Sequence, residues 1–214
     1  MSVPFHCIRP AFAALSSVFL LAASAEAGQR AIVLDVTDRT NVPLELLNLA
    51  QDVASRVYRE AGVETVWMDA ARGPSATTGE AGAMRPAESM RFEVILLSSE
   101  DAEKRCAQEH LGPNVLGAAD RPAGRSYIFF ARVVELAGKA NMSSADLLGR
   151  VLAHEVGHLA LRAGGHGSTG LMRAELDTRS IGSATFTRAE GAVLRHFLSD
   201  GPASSIEPSS RTEQ

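Results

Sequence analysis

Cysteine is almost missing from this 214-residue chain: Cys7 and Cys106 are the only two. That is too few for a disulfide scaffold or a four-cysteine zinc site. Aromatic residues make up 5% of the sequence, which leaves little on which nucleic-acid bases could stack. A basic excess is missing as well. Lys and Arg number 21 against 25 Asp and Glu, for a formal charge of −4 and a pI near 5.9. No positive field exists to attract a phosphate backbone, so nucleic acid is excluded as a partner class. Nor is there an apolar run long enough to be an ordinary membrane-spanning helix; the main candidate is confined to residues 11–23. What is present is a hydrophobic fraction of 45% beside 21% charged residues, enough for the core of one folded domain.

The apolar run Ala11–Ala23 follows the weakly basic start His6 and Arg9, and Ala25-Glu26-Ala27 follows it as a small-x-small cleavage pattern. Residues 1–27 therefore read as a signal peptide, with 28–199 as the folded domain and 200–214 as a disordered tail rich in polar residues. The implied location is secreted or periplasmic, with no stable membrane span after cleavage. Cys7 leaves with the signal, and Cys106 becomes a lone thiol, read as half-buried and inert.

Along the domain, Ala31–Thr37 is a β-branched strand, followed from Pro43 by a helix with apolar residues at helical spacing up to Gly62. Strands are expected at Val63–Met68 and Arg91–Leu97, separated by a long loop over Asp69–Ser89. Ser98–His110 reads as polar chain with one helical turn. Val115–Ala119 is a short edge strand, Arg121–Gly124 a turn, and Ser126–Val133 a buried strand. Ser143, with Asp146 three residues on, opens a helix whose apolar face is Leu147, Leu148, Val151, Leu152 and Leu159. A last helix spans Thr187–Leu198. Strands and helices in this order predict an α/β fold, a mixed twisted sheet with an edge strand and packed helices.

The chemistry is carried by His154-Glu155-Val156-Gly157-His158, an H-E-x-x-H pattern. On a helix the two histidines share a face, about 5–6 Å apart at Cβ, so both imidazoles reach one Zn²⁺ at about 2.0–2.1 Å. Glu155, beside the first ligand, is placed to act as general base on a metal-activated water. A catalytic zinc needs a third protein ligand. His166 is the candidate, because Gly164 and Gly165 can end the helix and reverse the chain. Glu175, Asp177 and Glu190 are the carboxylate alternatives. Met172 follows in Gly167-Ser-Thr-Gly-Leu-Met172, where its thioether can pack beneath the ligands.

Residues His154 to Met172 resemble the active-site segment of the metzincin zinc metalloproteases, and most of all their small archaemetzincin-like members. The chain also resembles short secreted bacterial proteins with HE-x-GHL and a T-G-[IL]-M turn. The order of predicted elements from Ala31 to His158 is similar to that family's. The resemblance implies a zincin-like domain of the metzincin kind with Zn²⁺ as cofactor. It further implies Met172 as a Met-turn residue, a peptide or protein substrate, and pairing of that substrate with the edge strand. Two departures stand out. The family spacing would place the third ligand at 164, but the histidine comes at 166, which predicts an active helix about half a turn longer. No tyrosine follows Met172 to stabilise an oxyanion, and Arg173 is the candidate replacement. A secreted zinc endopeptidase is the leading expectation. A zinc-binding module without proteolysis is the alternative, favoured by the lack of a propeptide and opposed by the retained Glu155.

Overall fold

The computed structural model describes residues 31–69, 73–74, 90–161, 166–174 and 180–200. The expected signal peptide, the expected tail beyond residue 200, most of the expected 69–89 loop, the Gly164-Gly165 pair, Glu175 and Asp177 lie outside the described residues. Strands β1 (Ala31–Asp38), β2 (Glu64–Asp69), β3 (Gly73–Pro74), β4 (Met90–Leu96), β5 (Gly117–Asp120) and β6 (Arg125–Ile128) form one sheet in the order β3-β2-β1-β4-β6-β5. The inner four strands run parallel, while β3 and β5 join antiparallel at opposite edges. This is the mixed α/β sheet the sequence predicts, and β5 is its expected edge strand.

Alternation decides what each face holds. Ile32, Leu34, Val36, Trp67, Phe92, Val94, Leu96 and Ile128 turn to one side and build the main core with the helices α1 (Leu44–Glu60) and α4 (Ser144–Ala160). Gly149 of α4 lets these helices meet closely, since a Cβ there would lie 2.5 Å from the Ala50 carbonyl oxygen. The buried Tyr58 hydroxyl of α1 donates to the Ala153 carbonyl at 3.0 Å, which ties α1 to the turn that carries His154. On the other face, Ile95 and Leu97 pack with Phe129 and with Ala102 and Cys106 of α2 (Ser99–Glu109). Cys106 is thus a buried core thiol.

Three expectations need correction. The strand over Ser126–Val133 stops at Ile128, and α3 (Phe130–Lys139) begins two residues later. A continuous apolar run has no period to separate strand from helix, and here Val133 and Ala137, four apart, turn inward on a helix. Ser98–His110 is three turns of helix, not one. Ser98 Oγ caps Asp101 N–H at 3.2 Å, Lys104–Glu100 and Arg105–Glu109 pair along the surface, and His110 closes the helix at φ 54. Only Ala102 and Cys106 face inward, so the apolar signal was slight. Finally, α4 ends at Ala160, with Leu161 extended. The active helix is therefore not lengthened as expected, and residues 162–165 before His166 lie outside the described residues. No described helix is long and apolar enough to cross a membrane.

Candidate metal centre

Helix α4 places the site. Its Ser143 cap accepts from Asp146 N–H at 3.3 Å, and its inward side is so apolar that residues 151–157 are all buried. His154 and Glu155 are therefore each only 7% exposed. His154 Nδ1 donates to the Leu171 carbonyl at 2.8 Å, which fixes the tautomer and leaves the Nε2 lone pair for a metal. His158 Nε2 stands 3.0 Å from His154 Nε2. His166, exposed, completes the group.

The ring centroids of His154, His158 and His166 are separated by 4.6, 5.5 and 4.8 Å. The ligand atoms of all three lie within 4.8 Å of one another. Tetrahedral zinc with arms of about 2.0–2.1 Å would set such nitrogens about 3.4 Å apart, so the three histidines fit one Zn²⁺ with small adjustments. Three imidazoles also leave a fourth position open, as a catalytic zinc requires. Burial lowers the pKa of His154, and it pushes that of His158 down to about 4, helped by His154, His166 and Arg121. Both rings are neutral at pH 7 and ready to coordinate.

The loop that carries His166 is closed on itself. Gly167 N–H donates to the Met172 carbonyl at 2.7 Å, and Leu171 N–H to Thr185 at 2.8 Å. Gly170 takes φ 76 with the Thr185 carbonyl 2.9 Å from where a Cβ would stand. Met172 is 1% exposed, and its sulfur lies 2.8 Å from the Cβ position of Gly157. A side chain at Gly157 would crowd the Met172 thioether.

Among the carboxylate alternatives, Glu190 is engaged elsewhere. Its Oε2 accepts from Thr187 N–H at 2.7 Å while Thr187 Oγ1 accepts from Glu190 N–H at 3.3 Å, the reciprocal capping box of α5 (Arg188–Asp200). Arg150 of α4 donates to the carbonyls of Gly182 and Ala184, fastening the segment that leads there.

An open cleft of about 1410 Å³ runs over the metal group, lined by β5, by residues 111–116 and by α3, with Glu155 facing into it. Glu155 is the carboxyl with a strong perturbation here: burial raises its pKa to about 8. Two residues that sequence reasoning passed over shape this wall. Gly117 opens β5 directly against Glu155; a Cβ there would lie 2.7 Å from Glu155 Cγ and 2.9 Å from Oε1. Arg121, in the β5–β6 turn, donates through Nε to the His158 carbonyl at 2.6 Å. Arg121 lines the cleft and Arg173 does not. Neither residue sits in a sequence pattern that would have marked it.

Sheet, helices and histidine group together define a mixed α/β domain with a candidate zinc centre. The chain matches no family profile and no curated protein sequence. Its fold is similar to that of an archaemetzincin from Methanopyrus kandleri, with a TM-score of 0.50 and 16% identity over 81% of this chain and 98% of that one. It is also similar to a zinc-dependent peptidase from Methanocorpusculum labreanum, with a TM-score of 0.45 and 14% identity over 75% and 99% of the two chains. At the identity of the first, the likeness is one of fold.

Proposed function

We propose that the protein is an exported zinc metallopeptidase of the metzincin kind, which hydrolyses a peptide laid extended along β5. The observation that carries this is a buried glutamate set beside three converging imidazoles in an open cleft. His154, His158 and His166 hold the metal, and Met172 forms the floor beneath them, the place of a Met-turn. Zinc, when bound, polarises the scissile carbonyl and makes water acidic enough to yield a proton near neutral pH. Glu155 takes that proton and returns it to the departing amine nitrogen. Gly117 keeps the Glu155 carboxylate against the strand on which the substrate lies. Among the described residues the outer edge of β5 carries no strand, so its backbone groups can pair with an extended chain. The fold shared with an archaemetzincin supports the reading.

Metal analysis of the purified protein beside peptide hydrolysis by the parent and Glu155→Gln tests it. Gly117→Ala should retain zinc but displace Glu155, lowering kcat by about 100-fold, the usual cost of a misplacement near 1 Å. Unchanged kcat would show that the contact does not position the base. Export rests on residues 11–27, and N-terminal sequencing of the exported protein should begin at Gly28. A chain beginning at Met1 would contradict it.

A further inference from the structure

We infer that Arg121 is a specificity-determining residue, which selects peptides bearing a carboxylate near the scissile bond. The inference rests on the peptidase reading and names its substrate class.

Four cations line the cleft: Arg105, Arg121, Arg132 and Lys139. Three are committed. Arg105 pairs with Glu109 at 2.6 Å and lies 3.5 Å over the Tyr127 ring. Lys139 pairs with Glu135 at 2.5 Å. Arg132 donates through Nη1 to the carbonyls of Gly112 and Val115, each at 3.0 Å, and so holds the cleft wall. Arg121 differs. It is exposed, and among the described residues its one bond is from Nε to the neutral His158 carbonyl. Its neighbour Asp120 turns Oδ1 to Ala123 N–H at 3.2 Å. Among the described residues the positive charge of Arg121 is therefore left without a carboxylate partner, in the cleft that His154, His158 and His166 also line.

The Nε bond has a structural reason, since carbonyls in the last turn of a helix lack helical partners and basic side chains cap them. It also has a consequence. A guanidinium is planar, so fixing Nε at 2.6 Å from the His158 oxygen orients the whole group. The edge formed by Nη1 and Nη2 then remains as a preset fork, the geometry that takes both oxygens of a carboxylate. Because the ordering is already complete before substrate arrives, less is lost on binding. The carboxylate can belong to an Asp or Glu side chain or to the free C-terminus of a peptide.

The test uses full-length zinc-loaded Glu155→Gln protein, which binds without turnover, and alanine-rich peptides in matched pairs. In one set Glu replaces Gln at successive positions, with both ends blocked. In the other, a C-terminal acid replaces the amide. Fluorescence anisotropy reads the affinity. A charged member should bind about tenfold tighter than its neutral twin, as expected for a charge-assisted bond in an exposed site. Preference in the first set assigns the carboxylate to a side chain, and in the second to the chain end. In parent enzyme the same preference should appear in KM. Arg121→Gln should abolish it with zinc content unchanged, while Arg121→Lys, which keeps charge without the fork, retains part of it. Equal affinity for both members of every pair overturns the assignment without need of any Arg121 variant. A preference that survives in Arg121→Gln overturns it too. If binding shows the preference but the parent cleaves nothing, carboxylate recognition by Arg121 stands and the peptidase reading falls.

Discussion

Glu155→Gln is expected to keep its zinc and lose its hydrolysis. The amide preserves size and shape in a pocket where Gly117 leaves no slack, but it cannot accept the proton. General-base assistance is worth about 10²–10⁴-fold, and kcat should fall at least that far while bound zinc stays near one per chain. A variant as active as the parent would mean that hydrolysis came from elsewhere. The same substitution has a second effect, visible in chelated protein. Without metal, burial raises the Glu155 pKa from 4.5 to about 8. Between those values the folded chain keeps a proton that the unfolded chain releases, so stability is fully present below pH 4.5 and drains away as pH rises towards 8. The slope is at most about 1.4 kcal/mol per pH unit. Gln has no such term. His158, with its pKa lowered to about 4, acts in the opposite direction at lower pH, but it is common to both proteins. Chelated Glu155→Gln should therefore melt above the chelated parent at pH 8 and converge with it towards pH 4.5. Parallel melting curves across that range would contradict the burial of this carboxyl.

The second large effect is the loss of His166. It is the exposed member of the group and comes from a loop, not from α4, so its removal leaves the packing of the helix intact. Even indirect supports of a metal ligand cost about 10–100-fold in affinity when removed; a direct ligand should cost more. His166→Ala is expected to bind zinc more than about 100-fold more weakly, to lose peptide hydrolysis, and to melt at the temperature of the chelated parent, because zinc stabilises only the folded state. Isothermal titration with zinc gives the affinity. Full affinity in His166→Ala, with loss in Glu175→Ala or Asp177→Ala instead, would transfer the third ligand to a carboxylate.

The elements that the sequence disclosed are those with a strong period or a cap. Ala31–Asp38 opens on a β-branched apolar run bounded by a turn, α1 is stopped by Gly62 with φ 76, and α4 opens on Ser143. The elements it concealed lack such marks. Helix α2 is polar on nearly every side, and α3 continues an apolar strand with no break between Ile128 and Phe130. At the site, the grouping of His154, His158 and His166 was legible because H-E-x-x-H spacing is local to one helix and His166 follows soon after it in the chain. Gly117 and Arg121 were not, because their roles depend on which strand lies beside α4. That neighbour is set by the long-range pairing of β5 with β6, and a glycine before two alanines carries no sign of it. The capping role of Glu190 was hidden as well, although Thr187 three residues earlier is the pattern that would have revealed it.

The most direct measurement is a zinc titration of chelated, full-length mature protein, with bound metal and peptide hydrolysis followed in the same samples. Hydrolysis should rise in proportion to bound zinc and level off at one per chain. Full occupancy of that site with no cleavage of any member of a diverse peptide library would contradict the peptidase assignment and leave a zinc-binding module in its place.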